Sequence, residues 1–316
     1  QEVPPDWAAP AKIYTRVRAD GESRRRQRER RVEQAGGRRP MIRTTFAFEP
    51  RPGDTIRGDI RIPDGPPPRS AVVIAHGFKG FKDWGFFPIS AERIAGAGHA
   101  VVLFNFSRNG VGSTLSDFDE MEKFAQNKLT LELDELLLVV DQVMEGDLLP
   151  RRPQRLGILG HSRGGGDAIL ATSEEPRIDA LVTWNAVSHF DRWSDETKAR
   201  WRKDGRTFVT NTRTGAQMPL DVTLLEDYEA NAERLDIPAA AARIEVPWLI
   251  IHARVDLTVP VAESERLRQT SKRARKLIIE QAGHTFQAVH PFETSPPELD
   301  EALDATIAHF NEHLRG

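Results

Sequence analysis

The sequence predicts an α/β protein with a mostly parallel central sheet and helices on both faces. Three observations carry this. From residue 70 onward, short apolar runs alternate with longer segments whose apolar residues recur at helical spacing. Those runs are apolar at nearly every position, as strands covered on both faces must be. Ahead of them, residues 42–48 and 55–62 read as strands separated by a turn at 50–54, which predicts an N-terminal antiparallel hairpin.

The elements follow in order. Residues 71–75 form a buried strand that ends at His76-Gly77. A helix is expected over 88–96 and a strand over 100–104. A long amphipathic helix covers 129–143. Then come strand 155–159, helix 164–172 and strand 180–184. After a break, strand 248–251, helix 262–270, strand 276–279 and a closing helix 297–314 complete the pattern. The break, residues 185–246, shows little strand–helix alternation and reads as an insertion over the sheet's carboxyl edge. Inside it, residues 207–211 and 217–220 flank Arg213-Thr214-Gly215 and suggest a hairpin.

Composition narrows the function. The chain has 316 residues, and its 39% hydrophobic and 29% charged content are ordinary for a protein with a full core. It contains no cysteine, which excludes disulfides, thiolate metal sites and a Cys nucleophile. A net charge of −3 gives no global argument for nucleic acid or an anionic membrane as partner. No apolar run is long enough to span a bilayer, and no signal peptide is visible, so the expected location is cytoplasmic.

Residues 1–40 stand apart. They hold eleven Lys or Arg against six acids, a net of +5, with Arg24, Arg25, Arg26, Arg28, Arg30 and Arg31 close together. They are read as a charged tail that buries too little apolar surface to order itself. The competing reading is a basic arm for nucleic acid or anionic lipid. Met41 is a candidate start, and residues 41–316 are the expected catalytic domain.

The strongest chemical signal is Gly160-His161-Ser162-Arg163-Gly164, a G-x-S-x-G pattern between a predicted strand and a predicted helix. A Ser lifted on such a turn needs small neighbours, and its hydroxyl needs a base. His284, in Ala282-Gly283-His284 after the last strand, is the favoured base, ahead of His290 and His252. Asp256, in the loop after strand 248–251, is the favoured carboxylate, ahead of Asp191. The choice yields the chain order Ser, Asp, His. Two backbone N–H groups are expected to face the developing oxyanion, from Arg163 and from Phe78 in His76-Gly77-Phe78-Lys79-Gly80.

These stretches together resemble the α/β-hydrolase superfamily over residues 42–315. Within it the chain looks like bacterial esterases of the dienelactone-hydrolase and feruloyl-esterase-like branch, on the loops His76–Trp84 and Asn105–Ser113. The resemblance implies the triad Ser162, Asp256 and His284, oxyanion donors Phe78 and Arg163, and a cap at about 185–246. Dienelactone hydrolases proper carry a Cys nucleophile, which this chain lacks. Arg163 stands where many relatives carry Met or Gln, and its side chain is free to meet an acidic substrate or an acidic loop.

Within the expected cap, Trp193, Phe208 and Met218 are candidate substrate contacts, with anchoring of the insertion as the equal alternative. No metal or nucleotide motif is present, so no cofactor is expected. The expected function is hydrolysis of a small-molecule carboxylic ester through an acyl-enzyme. The alternatives are amide, peptide or thioester hydrolysis or acyl transfer by the same groups, and a non-catalytic binding protein on the same fold.

Overall fold

The computed structural model describes residues 41–145 and 148–315. The expectations for residues 1–40 lie outside the described residues. An eight-stranded sheet runs in the order β1-β2-β4-β3-β5-β6-β9-β10. Its strands are β1 (Met41–Arg51), β2 (Asp54–Pro63), β3 (Ser70–Ala75), β4 (Ala100–Asn105), β5 (Arg155–His161), β6 (Ala180–Trp184), β9 (Trp248–Ala253) and β10 (Ala274–Ile279). β1 and β2 form the expected antiparallel hairpin, and β2 pairs antiparallel with β4. All other pairings are parallel.

Strand periodicity sorts the core into two layers. Ala71, Val73 and Ala75 of β3 face one cluster, and Val72 and Ile74 face the other. The first cluster packs against α3 (Leu129–Met144) and α4 (Arg163–Glu174) through residues such as Leu133, Leu136, Ala168 and Ile169. The second packs against α1 (Phe87–Gly96) and α9 (Pro297–Leu314) through Phe87, Ile94, Leu303 and Phe310. This double coverage is why β3 and β4 are buried at all six positions.

The segment between β6 and β9 is richer than its sequence suggests. It holds α5 (Asp195–Asp204), the hairpin β7 (Arg206–Thr210) and β8 (Gln217–Asp221), α6 (Thr223–Ala230) and α7 (Ile237–Arg243). Ser194 caps α5 by accepting from the N–H of Thr197, and Gly205 ends it in a left-handed conformation. Trp201, Met218, Leu220, Leu224 and Leu225 make a separate small core here, joined by Phe124 from α2 (Met121–Ala125). Leu235, Ile237, Ala240, Ala241 and Ile244 belong instead to the main core. The locally distinct part of the insertion therefore ends before residue 235, because α7 packs on α4 rather than on the hairpin. Among the described residues, no helix is long and apolar enough to cross a membrane.

Candidate active site

Six parallel strands end on one edge of the sheet, and the loops leaving them meet there. Ser162 follows β5 directly, at φ 58° and ψ −120°, and α4 starts at the next residue. A non-glycine residue in this conformation costs on the order of 1–3 kcal/mol, and the surroundings must hold it in place. They do so through the Ser162 N–H, which donates to Trp184 O at 2.9 Å, and its carbonyl, which accepts from the N–H of Gly165 and Val187. The two glycines of the pattern are needed for space. A Cβ on Gly160 would sit 2.2 Å from Gly164 O, and one on Gly164 would sit 2.4 Å from His76 O.

His284 Nε2 lies 3.0 Å from Ser162 Oγ, and His284 Nδ1 lies 2.7 Å from Asp256 Oδ2. Three side chains that are 94 and 28 residues apart in sequence thus form one hydroxyl–imidazole–carboxylate line. Asp256 is buried, and burial alone would raise its carboxyl. The hydrogen bond with His284 and the N–H groups of Val259 and Thr258 outweigh that and hold it below the usual carboxylate range. Those two N–H groups reach Oδ1 at 2.9 and 2.8 Å, so Oδ2 is left for the imidazole.

The competing candidates are placed elsewhere. His290 Nδ1 accepts from the Gly85 N–H at 3.0 Å, and its ring stacks on Trp84. His252 is fully buried and bonds to Val259 O at 2.9 Å, so it braces the Asp256 loop from behind. Asp191 pairs with Lys198 at 2.5 Å.

The loop after β3 passes directly beside the nucleophile. A Cβ on Gly77 would sit 2.8 Å from Ser162 Cβ and 3.4 Å from Ser162 Oγ. His76 anchors this loop. Burial lowers its pKa to about 4, against the opposing hydrogen bond to Gly77, so the ring is neutral at pH 7 and donates from Nδ1 to Gly77 O at 2.9 Å. Asn109 ties the same loop down by donating to Gly80 O at 3.2 Å. Phe78 stacks with Phe124, and Arg163 places its guanidinium 3.9 Å from the Phe78 ring centroid. The acidic neighbour that Arg163 meets is Glu132 of α3.

The three candidate contacts of the insertion differ. Trp193 is half-buried against Trp201. Phe208 is 57% exposed, whereas Met218 is fully buried in the insertion's own core, against the expectation of a substrate contact there.

Two residues bonded to the His284 loop escaped the sequence reading. Asn185, the residue after β6, donates from Nδ2 to His284 O at 2.8 Å and accepts from the Ala253 N–H at 2.7 Å. His161 Nε2 also lies 2.9 Å from His284 O. Burial, then the nearby His284, lowers the His161 pKa to about 3, so the ring is neutral and donates. The position of Asn185 at the carboxyl end of a parallel strand was the one available signal.

A strained Ser between a parallel strand and a helix, with a His and an Asp from later loops, is the arrangement of a hydrolase on a doubly covered sheet. The chain belongs to the alpha/beta hydrolase family, whose model matches residues 72–302. It is 28% identical over 195 residues to 2,6-dihydropseudooxynicotine hydrolase of Paenarthrobacter nicotinovorans, covering 61% of this chain and 46% of that protein's length. Among solved structures, Est1E from Butyrivibrio proteoclasticus superposes with a TM-score of 0.62 at 17% identity, over 85% of this chain and 98% of that one. Dienelactone hydrolase from Anabaena variabilis gives 0.56 at 20% identity, over 83% and 93%. These two structural likenesses are evidence of shared fold. The chain spans about half the length of that first curated relative, and the family match is what the comparisons establish for it.

Proposed function

We propose that this hydrolase cleaves carboxylic esters through an acyl-enzyme on Ser162. The observation that carries the reading is the unbroken line from Ser162 Oγ to His284 at 3.0 Å and on to Asp256 at 2.7 Å. In this reading His284 takes the hydroxyl proton as Oγ attacks the ester carbonyl, and Asp256 steadies the imidazolium. The tetrahedral oxyanion is held by the N–H groups of Phe78 and Arg163. Arg163 N–H belongs to the first turn of α4, where N–H groups have no acceptor within the helix. Phe78 N–H lies on the loop that grazes Ser162. Collapse returns the proton from His284 to the departing alcohol. Water, activated by the same imidazole, then releases the acid and restores the hydroxyl.

The insertion over the site is proposed as the wall of the acyl pocket, with Phe208 and Trp193 as its accessible apolar faces. A fluorophosphonate should label Ser162, as located by peptide mass spectrometry, and p-nitrophenyl esters of graded acyl length should be turned over. Full activity in Ser162→Ala would end this reading.

A second reading keeps the same three residues and changes the bond cleaved. It is favoured by the similarity to 2,6-dihydropseudooxynicotine hydrolase. A panel containing that compound, thioesters and amides beside the p-nitrophenyl esters separates the two by kcat/KM.

A further inference from the structure

We infer that the Arg163 guanidinium and the Phe78 ring form a clamp that sets the separation of the two oxyanion N–H groups, with Glu132 anchoring the guanidinium. This rests on the proposed roles of Ser162 and of those N–H groups.

The need for a clamp follows from the sheet. β3 and β5 pair in parallel, and their last register pair is Ala75 with Gly160. Phe78 and Arg163 each lie three residues beyond that pair. Ladder hydrogen bonds therefore do not fix their mutual distance. A misplacement of about 1 Å at a reacting centre can cost on the order of a hundredfold in rate. Backbone packing brings Gly77 against Ser162 and Gly164 against His76, and the side chains of Phe78 and Arg163 join the two segments directly. The Arg163 guanidinium carbon lies 3.9 Å from the Phe78 centroid, a close cation–π contact.

The guanidinium faces an acid. Its Nη1 lies 3.6 Å from Glu132 Oε2, an ion pair longer than a hydrogen bond, with both side chains nearly buried. Glu132 Oε1 accepts from Asn127 Nδ2 at 2.7 Å, which orients the carboxyl. Asp167, one turn along α4 from Arg163, is fully buried in the same neighbourhood. Burial pushes both carboxyls upward, and the Arg163 charge opposes it in each case. A buried charge cluster gains little stability over apolar packing, and the role inferred for this one is to place the guanidinium. On the other side, the Phe78 ring stacks with Phe124 at 5.5 Å, and Phe124 packs into the core of the insertion with Trp201, Met218 and Leu220. The stack is thus backed by α3 on the Arg163 side and by the insertion on the Phe78 side. Arg163 is here a positioning residue: its backbone meets the oxyanion, and its side chain acts through Phe78.

The test uses Arg163→Lys, Arg163→Met, Phe78→Leu and the Arg163→Lys/Phe78→Leu double variant. Lysine keeps the charge beside Glu132 but not the planar stacking surface, so it decides the matter if Arg163→Met leaves the acids uncompensated and fails to fold. Thermal melts identify the folded variants. The readouts are kcat, KM and inhibition by a trifluoromethyl ketone, whose adduct with Ser162 places an oxyanion against both N–H groups. Arg163→Lys and Phe78→Leu should each lower kcat roughly tenfold or more, with KM changed less than about twofold, and should weaken the ketone by a similar factor. The double variant should be no worse than the poorer single one. Unchanged kcat in the folded single variants, or fully additive losses, overturns the clamp while leaving Ser162 in its role. An active Ser162→Ala overturns both.

Discussion

Asn185 donates from Nδ2 to the carbonyl of His284 at 2.8 Å, so the residue that leaves β6 holds the loop that carries the imidazole. Its Oδ1 simultaneously accepts from Ala253 N–H at the end of β9, just ahead of the Asp256 loop. One fully buried side chain therefore spans the His284 and Asp256 loops. Its own φ of 47° is a left-handed conformation that Asn tolerates better than most residues.

Asn185→Ala should lower kcat by about tenfold to a hundredfold, with KM little changed, and cost about 1–3 kcal/mol through the unpaired buried carbonyl and N–H. Asn185→Asp should be worse, because a carboxylate oxygen would face the His284 carbonyl. Steady-state kinetics paired with urea denaturation check both. Parent-like kcat in folded Asn185→Ala would show that His161, which also reaches this carbonyl, suffices to hold it.

Asp256→Asn has a direction set by its hydrogen bonds. Oδ1 accepts two backbone N–H groups, so the amide oxygen of Asn would take that place and the NH2 would face His284 Nδ1. Nδ1 would then have to accept, the proton would move to Nε2, and Nε2 could not take the Ser162 proton. The expected loss in kcat is roughly ten thousandfold with the fold retained. Activity close to the parent would mean that the imidazole works without this carboxylate.

Gly164→Ala tests the space at the turn. The added Cβ would lie 2.4 Å from His76 O and 2.7 Å from Ala75 O, both backbone atoms of β3 and the loop after it. Neither can swing away as a side-chain end would. The variant should lose on the order of 3 kcal/mol or fail to accumulate as folded protein. Denaturant midpoints at equal m-value are the measurement, and a midpoint equal to the parent's would count against this packing.

Glu135 gives a stability prediction with a definite sign. It is buried and accepts from Ser107 N–H at 2.8 Å and from the Ser107 hydroxyl. Burial pushes its carboxyl up to about 7, from 4.5, against the opposing Ser107 hydrogen bonds. Between those values the folded state keeps a proton that the unfolded chain has lost. Stability from this site therefore falls as pH rises from 4.5, and the penalty is complete above about 7. Glu135→Gln lacks the proton and the penalty. Its stability relative to the parent should rise between pH 5 and pH 8, by at most on the order of 3 kcal/mol. Urea melts of both proteins at the two pH values decide it, and a constant difference would refute the shift.

The order and type of the main sheet elements were legible in the sequence because each signal is local. A strand buried on both faces shows as an apolar run, and helix 297–314 coincides with α9 (Pro297–Leu314). The elements of the insertion were harder. α5 is very polar and buries only Trp201, so it shows almost no apolar periodicity. α7 has seven residues, four of them Ala, and its inward face is visible only once α4 is beside it.

The amino-acid sequence on its own determined the turn at Ser162, because a strand, a tight reversal and a helix within a dozen residues demand glycine at 160 and 164. It also determined the residue types available after each later strand, which made His284 and Asp256 the favoured candidates for base and carboxylate. Only the tertiary structure decided which partners Asn185, His161, Glu132 and Met218 meet. Each of these acts on a partner far away in the chain, or is buried by one, and such a meeting depends on strand order and loop path. Buriedness of a lone polar residue leaves no periodic trace, so its purpose becomes readable only when its hydrogen-bond partner is seen.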